Sequence, residues 1–236
     1  MVWGNKISEE IAGRNAIYAM MASNCYHNPK KKYFPVEYLG WMLVDEDGDP
    51  SDEPTIEKAN GFACDIYEHE HSNKTVIAYR GSDNKIDWIL ANLAAPISTT
   101  YFSAKKAARR YMEKHPEREL TVVGHSLGGG LALSASVHFG LRALTFNTSP
   151  RIFDGLGDKH KPGIRVVIYQ KGDPLCNARE NLFADKLLSA VKPADIHMTT
   201  HEVSVGDEHN SDLMALGLAQ FGRKANPELD RILESI

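Results

Sequence analysis

The sequence predicts an α/β fold in which a mostly parallel central sheet is flanked by helices. Short apolar segments of strand length alternate with longer helical segments through most of the chain, a pattern typical of strand–helix–strand units. The chain has 236 residues, of which 42% are hydrophobic and 25% are charged. This length and composition suit one globular unit, so we expect a single domain over residues 1–236.

The first third of the chain predicts one helix and three strands. Ser8 precedes two glutamates, which is typical of a helix start, and the helix should run to about Cys25. The strands are expected as an antiparallel lead-in to the parallel centre. Their predicted ranges are Val36–Val44, Phe62–Glu68 and Thr75–Tyr79.

The rest of the chain predicts alternating strands and helices. The strands are expected at Leu120–Val123, Leu144–Asn147, Ile164–Gln170 and Ile196–Val205. The helices are expected at Tyr101–Lys114, Leu131–Phe139 and Ser211–Phe221, with a short final helix at Glu228–Leu233.

Ser126 lies in the most informative motif of the chain. The segment Gly124-His-Ser-Leu-Gly128 fits G-x-S-x-G, in which a serine occupies a sharp turn between a strand and a helix. An apolar strand precedes this motif and an Ala- and Leu-rich helix follows it. The sequence therefore predicts a nucleophile elbow, with Ser126 as the catalytic nucleophile.

A serine nucleophile needs a histidine base and a carboxylate that orients this base. In the α/β-hydrolase order both follow the serine, each after a later strand. Asp173 follows the strand that ends at Gln170, and His209 follows the last strand, so we expect Ser126, Asp173 and His209 to form a triad. Asp195 and Asp207 are the alternative acids.

The oxyanion hole needs two backbone N–H donors. One is expected from Leu127, which follows the nucleophile. The other should come from the loop after an early strand, where Arg80-Gly-Ser82 follows Tyr79. Ser82 could supply its N–H and its hydroxyl, although the same residues are equally typical of a simple turn.

Other histidines and acidic residues predict no metal site. His69 and His71 alternate at a strand end without a third ligand at suitable spacing. The acidic segment at residues 45–53 begins like a calcium loop, but Pro50 occupies the glycine position, so a solvated turn is expected. His125 should point away from the reaction, and His201 should be structural.

Four segments in order resemble the class 3 (fungal-type) lipases. They are Ile77–Leu93, the elbow with Gly128-Gly-Gly130, Tyr169–Leu175, and Glu208–Leu213. The resemblance implies an α/β-hydrolase fold and hydrolysis of carboxylic esters of acylglycerols or phospholipids. By position it makes Ser82 the oxyanion-hole residue and supports the triad.

The chain departs from these lipases between residues 94 and 120. This stretch is shorter than in the family and lacks its "HxGF" segment, so we expect a short or absent lid. The segment after the elbow is similar to bacterial members, some of which are phospholipase toxins delivered to rival cells.

The charge balance limits the partners. With 27 basic and 31 acidic residues the net charge is −4, which gives no reason to expect nucleic acid or an anionic membrane as a partner. Two basic clusters, at residues 30–32 and 105–110, are expected as solvated surface, and the second allows contact with phospholipid headgroups. The three cysteines are expected as free thiols. No secretory signal or membrane span is visible, so a cytoplasmic product is the default, although signal-independent export would leave no trace.

We therefore expect a serine carboxylic-ester hydrolase that acts on lipid or small esters without a cofactor. One alternative is a phospholipase that serves as a secreted antibacterial effector. The other is a non-catalytic binding module that kept the fold and lost the chemistry.

Overall fold

A mixed β-sheet forms the centre of the fold. The computed structural model describes residues 5–27, 33–53, 56–58, 60–81, 99–149, 161–175, 198–205 and 209–236. Within these ranges the strands are β1 (Asn5–Lys6), β2 (Trp41–Val44), β3 (Ile56–Glu57), β4 (Ala63–His69), β5 (Lys74–Tyr79), β6 (Glu119–His125), β7 (Arg142–Phe146), β8 (Arg165–Gln170) and β9 (Met198–Val203). The helices are α1 (Glu9–Asn24), α2 (Thr99–Lys114), α3 (Leu127–Phe139), α4 (Ser211–Gly222) and α5 (Asp230–Leu233).

The strand order is β1-β9-β8-β7-β6-β5-β4-β2, and β3 also pairs with β4. All pairs from β5 to β1 along this order are parallel, whereas β4 is antiparallel to its neighbours β2, β3 and β5. The predicted antiparallel lead-in and parallel centre are therefore confirmed. The parallel arrangement brings the carboxyl ends of β5 to β9 to one edge of the sheet.

Helices cover both faces of this sheet. Val76 and Ala78 of β5 belong to the core that also contains α1 and α4, whereas Ile77 and Tyr79 belong to the core on the side of α2 and α3. Successive residues of a strand point to opposite faces, so a strand covered on both sides is apolar throughout. This is why the central strands read as continuous apolar runs.

One predicted strand is wrong in its first half, and the predicted final helix is confirmed with a different first turn. The predicted strand Val36–Val44 begins as a 3₁₀ helix at Val36–Leu39, and only Trp41–Val44 is extended. Gly40 separates them with φ of 76°, a left-handed conformation that ends the helical turn. The final helix likewise begins with a 3₁₀ turn at Pro227–Leu229 before α5.

The helix after the elbow begins earlier than expected, because the glycine run that follows Ser126 is already helical. The other predicted elements are confirmed to within a few residues of their expected ends. The loop in which a short lid is expected falls mostly on residues outside the described ranges. Among the described helices, none is long and apolar enough to cross a membrane.

Candidate active site

Ser126 lies at the tight turn between β6 and α3. Its φ of 59° and ψ of −126° are a strained conformation for a residue with a side chain. The Ser126 N–H donates to the Phe146 carbonyl (3.0 Å), and the Ser126 carbonyl accepts from the N–H groups of Ser149 (2.9 Å) and Gly129 (3.1 Å). These backbone bonds hold the strained residue in place from both β7 and α3.

Two glycines make this turn possible. A Cβ at Gly124 would lie 2.3 Å from the carbonyl carbon and oxygen of Gly128, and a Cβ at Gly128 would lie 2.1 Å from the Tyr79 carbonyl oxygen. These distances are well inside van der Waals contact. The spacing of glycines in the motif therefore reflects the close approach of β6, α3 and β5.

Asp173 follows β8 in a tight turn that contains Gly172, whose φ is 86°. The Asp173 side chain is fully buried. One carboxylate oxygen, Oδ1, accepts from the Leu175 N–H at 2.9 Å, and the other, Oδ2, lies 2.6 Å from His209 Nδ1. The carboxylate is thus fixed in orientation by its own loop and aimed at the histidine.

His209 lies between β9 and α4, and its side chain is 16% exposed. Asn210 caps the start of α4, since its side-chain oxygen accepts from the N–H groups of Asp212 (2.9 Å) and Leu213 (3.0 Å). His209 Nε2 lies 3.0 Å from Ser126 Oγ. The three residues predicted as a triad are therefore brought together in one hydrogen-bonded chain.

The hydrogen bonds of His209 with Asp173 and with Ser126 define the tautomer in which His209 can act as a base. Asp173 is an acceptor when ionised, so Nδ1 carries the proton and donates to it, and Nε2 is left free to accept from the Ser126 hydroxyl. A histidine in this state can remove the serine proton. The geometry is that of a general base held between an acid and a nucleophile.

A second histidine packs against this base. The ring centroid of His125 lies 4.8 Å from that of His209, so the expectation that His125 points away from the site is wrong. Burial and the neighbouring His209 hold the pKa of His125 well below its usual value, and His125 is therefore neutral. Its Nε2 has no hydrogen-bond partner in the part of the chain that the structure describes.

Tyr26, just beyond the end of α1, joins two parts of the site, and no sequence motif marks it as a site residue. Its hydroxyl accepts from the Gly81 N–H (3.0 Å) and donates to the His125 carbonyl (3.2 Å). Gly81 follows β5 and precedes Ser82, the expected oxyanion-hole residue. Ser82 itself lies outside the described residues.

The side chains of Asn147 and Gln170 join the segments that follow β7, β8 and β9. Asn147 has φ of 42°, and its side-chain oxygen accepts from the Gln170 N–H at 2.7 Å. The Gln170 side chain in turn accepts from the Val205 N–H at 2.9 Å. Gln170 therefore connects the strand that leads to Asp173 with the segment that leads to His209.

Leu127, the other expected oxyanion-hole residue, is the first residue of α3. An N–H at this position has no acceptor within its own helix, so it is available to an external oxygen. The position fits the expected role beside Ser126.

The remaining site predictions concern metal ligands, the acidic segment and the alternative acids. No group of three metal-ligating side chains occurs within the described residues. In the acidic segment, the Asp45 carboxylate accepts from the N–H groups of Asp47 (2.8 Å) and Asp49 (3.1 Å), which is the expected turn. The alternative acids Asp195 and Asp207 lie outside the described residues.

Comparison with known proteins identifies the family. The model of the Tle-like phospholipase domain matches residues 17–159, more than half of the chain. The chain therefore belongs to the Tle-like phospholipase domain family, which is a class of lipid-ester hydrolases. The match includes the elbow with Ser126 and ends before Asp173 and His209.

Individual relatives agree with this assignment. The extracellular phospholipase A1 of Serratia liquefaciens is 33% identical over 92 residues, which are 38% of this chain and 28% of that protein. This chain therefore matches less than a third of that phospholipase.

Solved lipases share the fold. A triacylglycerol lipase of Penicillium expansum superimposes with a TM-score of 0.54 at 15% identity, over 87% of this chain and 84% of that one. The Rhizomucor miehei lipase in its propeptide complex superimposes with a TM-score of 0.52 at 13% identity, over 76% of this chain and 67% of that one. The predicted α/β-hydrolase fold and the resemblance to fungal-type lipases are confirmed.

Proposed function

We propose that this chain hydrolyses carboxylic esters of lipids, with Ser126 as nucleophile, His209 as general base and Asp173 as the acid that orients it. The observation that carries the proposal is the continuous chain of contacts from Asp173 Oδ2 to His209 Nδ1 (2.6 Å) and from His209 Nε2 to Ser126 Oγ (3.0 Å). Both lengths suit direct proton transfer and charge-assisted hydrogen bonding.

The reaction proceeds in two halves. As Ser126 Oγ attacks the ester carbonyl carbon, its proton moves to His209 Nε2, and the buried Asp173 carboxylate stabilises the imidazolium that forms. The tetrahedral intermediate collapses to an acyl-enzyme, and His209 gives its proton to the departing alcohol. Water then attacks the acyl group with His209 again as base, which releases the fatty acid and restores the Ser126 hydroxyl.

Negative charge on the former carbonyl oxygen is met by the backbone N–H of Leu127 and by Ser82. Leu127 is supported by its place as the first residue of α3. Ser82 is supported by the anchoring of the residue before it, since the Gly81 N–H is bound by Tyr26 at 3.0 Å. Removal of one such donor typically costs about 10²–10³ in kcat.

The preferred substrate is proposed to be a phospholipid rather than a neutral triacylglycerol. The family model is that of a phospholipase domain, and the Serratia relative is named as a phospholipase A1. The structural resemblance to triacylglycerol lipases extends only to the fold, because those identities are low.

The test is hydrolysis of p-nitrophenyl esters from acetate to palmitate, followed by phosphatidylcholine and triacylglycerol in mixed micelles. We expect activity in the parent and a loss of about 10⁴ or more in kcat in Ser126→Ala. Ser134→Ala is the matched control, because Ser134 is a buried serine of α3 outside the proposed machinery. Equal activity of the parent and Ser126→Ala would overturn the proposal.

A second proposal concerns the place of action. The Serratia relative is named as an extracellular enzyme, which favours action outside the producing cell over the cytoplasmic default. Expression directed to the periplasm should inhibit growth for the parent and not for Ser126→Ala, whereas cytoplasmic expression should be tolerated. Equal growth of the strains that direct the parent and Ser126→Ala to the periplasm would contradict this proposal. It would not bear on the hydrolase proposal, which the ester assay tests.

A further inference from the structure

The solvent-facing side of α2 combines an exposed aromatic side chain with four cations. Phe102 is 68% exposed, more than any other large apolar side chain of the described residues. Lys105, Lys106, Arg109 and Arg110 follow it within the next two turns. We call these five residues the basic face of α2. Together with Glu113 and His138 they line a groove of about 500 Å³.

The opposite side of α2 fixes the direction in which this face points. Tyr101, Ala104, Ala108 and Tyr111 are buried in the core beneath α2. Spacings of three and four residues place these side chains on one side of a helix and the basic residues on the other. The basic face is therefore a fixed feature of the folded chain.

Arg109 and Arg110 of the basic face contact neighbouring side chains. The Arg109 guanidinium lies 5.6 Å from the centre of the Phe139 ring, and Arg110 pairs with Glu46 at 3.1 Å. Among the described residues, the four cations of the basic face outnumber the neighbouring acids Glu113, Glu46 and Asp47, of which Asp47 pairs with Lys114. This local excess is opposite in sign to the net charge of −4 of the whole chain.

The start of α2 lies at the same edge of the sheet as the proposed nucleophile. The Tyr79 hydroxyl donates to the Ala104 carbonyl at 3.0 Å, and the Asn60 amide donates to Ser103 Oγ at 3.3 Å. Tyr79 is the last residue of β5 and pairs with Gly124, two residues before Ser126. The turn that carries Phe102 is therefore near the carboxyl edge at which the triad is assembled.

We propose that the basic face of α2 docks the chain onto an anionic phospholipid bilayer. The cations meet the headgroup phosphates, and Phe102 enters the interface between headgroups and acyl chains. Cations beside an exposed aromatic side chain on one helix face are the composition that binds such interfaces. The inference extends the proposed function, because the bilayer would hold its substrate, but docking itself requires no catalysis.

The test is sedimentation of the full chain with vesicles of ether-linked lipids, which an ester hydrolase cannot degrade. Binding is expected to vesicles that contain phosphatidylglycerol and to weaken at high salt, since screening shortens the reach of the cations. Each basic residue near an anionic surface strengthens binding about fivefold, so Lys105→Gln, Lys106→Gln and Arg109→Gln together should weaken it about a hundredfold. Phe102→Ser should weaken it independently of salt.

Lys224→Gln combined with Arg231→Gln is the matched control, because both residues are exposed cations on another part of the chain. It should bind like the parent. Hydrolysis of p-nitrophenyl butyrate by the triple variant at the parent's rate would show that its loss of binding is not a loss of folding.

Equal binding of the parent and the triple variant to anionic vesicles would overturn the proposal. It would also be overturned if the parent bound a DNA duplex through these residues and not the vesicles. A parent that binds anionic vesicles but hydrolyses no ester would support docking and contradict the triad proposal, so the two failures are distinguishable.

Discussion

Asp173→Asn removes one charge from the centre of the site and leaves its shape unchanged. The Asp173 side chain is fully buried, and its two oxygens bind the Leu175 N–H (2.9 Å) and His209 Nδ1 (2.6 Å). Asparagine can keep its carbonyl oxygen on the Leu175 N–H, so the loop should retain its conformation. Its NH₂ group would then face His209 Nδ1.

That amide inverts the tautomer of the base. An NH₂ donor against Nδ1 requires Nδ1 to accept, which moves the ring proton to Nε2, where it faces Ser126 Oγ at 3.0 Å. Nε2 can then no longer remove the serine proton, and the imidazolium loses its counter-charge. By analogy with triads that carry the same change, kcat should fall about 10⁴-fold, or about 5.5 kcal/mol of transition-state stabilisation.

The assay is steady-state hydrolysis of p-nitrophenyl butyrate together with urea unfolding. The free energy of unfolding should change far less than the activation free energy, which separates lost chemistry from lost folding. Asp212→Asn is the matched control, because Asp212 is a partly buried carboxylate three residues from His209 that binds His27 at 2.9 Å. Near-full activity of Asp173→Asn would refute the assignment of the acid.

Four further changes test other contacts of the site. Tyr26→Phe leaves the Gly81 N–H without its acceptor and should lower kcat about 5- to 50-fold with KM nearly unchanged, as steady-state kinetics would measure. Gln170→Met, which removes the acceptor of the Val205 N–H, should lower the free energy of unfolding by about 1–3 kcal/mol and also reduce kcat. Ser126→Gly relieves the strained φ of 59° and should raise the free energy of unfolding by about 1 kcal/mol while abolishing activity. Because burial and His209 hold the pKa of His125 well below its usual value, the unfolded chain binds more protons than the folded chain below about pH 6.5. The free energy of unfolding should therefore fall with decreasing pH, by up to about 1.4 kcal/mol per pH unit, and His125→Phe should reduce this slope.

Each of these expectations has a contrary result, and for Gln170→Met it is a free energy of unfolding equal to that of the parent. Unchanged kcat in Tyr26→Phe would show that the link between Gly81 and His125 does not position the oxyanion loop. A Ser126→Gly variant less stable than the parent would show that the elbow stores no relievable strain. For His125, an unfolding free energy with the same slope between pH 7.5 and 5.5 in parent and variant would assign the pH dependence to other groups. His201, whose pKa is also lowered by burial, is one such group.

The architecture can be predicted from the sequence because the patterns that indicate it involve residues close together in the chain. The alternation of apolar strands and helices, the glycines around Ser126 and the turn after Gln170 each depend on residues close in the chain, and these elements are found where they were expected. The triad of Ser126, Asp173 and His209 can be predicted because each residue follows a parallel strand, and the carboxyl ends of parallel strands lie at one edge of the sheet. The contacts among the three then follow from the topology.

The missed features depend on contacts between distant residues. Tyr26 reaches Gly81 across 55 positions and His125 across 99, and no local pattern marks such a partner. The packing of His125 against His209 similarly arises only when β6 and the segment before α4 meet. The 3₁₀ turn before β2 was missed because the apolar residues around Gly40 have the composition of a strand, and tertiary packing decided between the two.

The most direct test of the proposed mechanism is covalent labelling of Ser126. A fluorophosphonate reacts with a serine only where a base activates it, so intact-protein mass spectrometry should show one adduct on the parent and on Ser134→Ala, with peptide mapping to Ser126. No adduct should form on Ser126→Ala, and labelling of His209→Ala should be slower by several orders of magnitude. Labelling of the parent at another residue, or equal rates in the parent and His209→Ala, would contradict an activated Ser126.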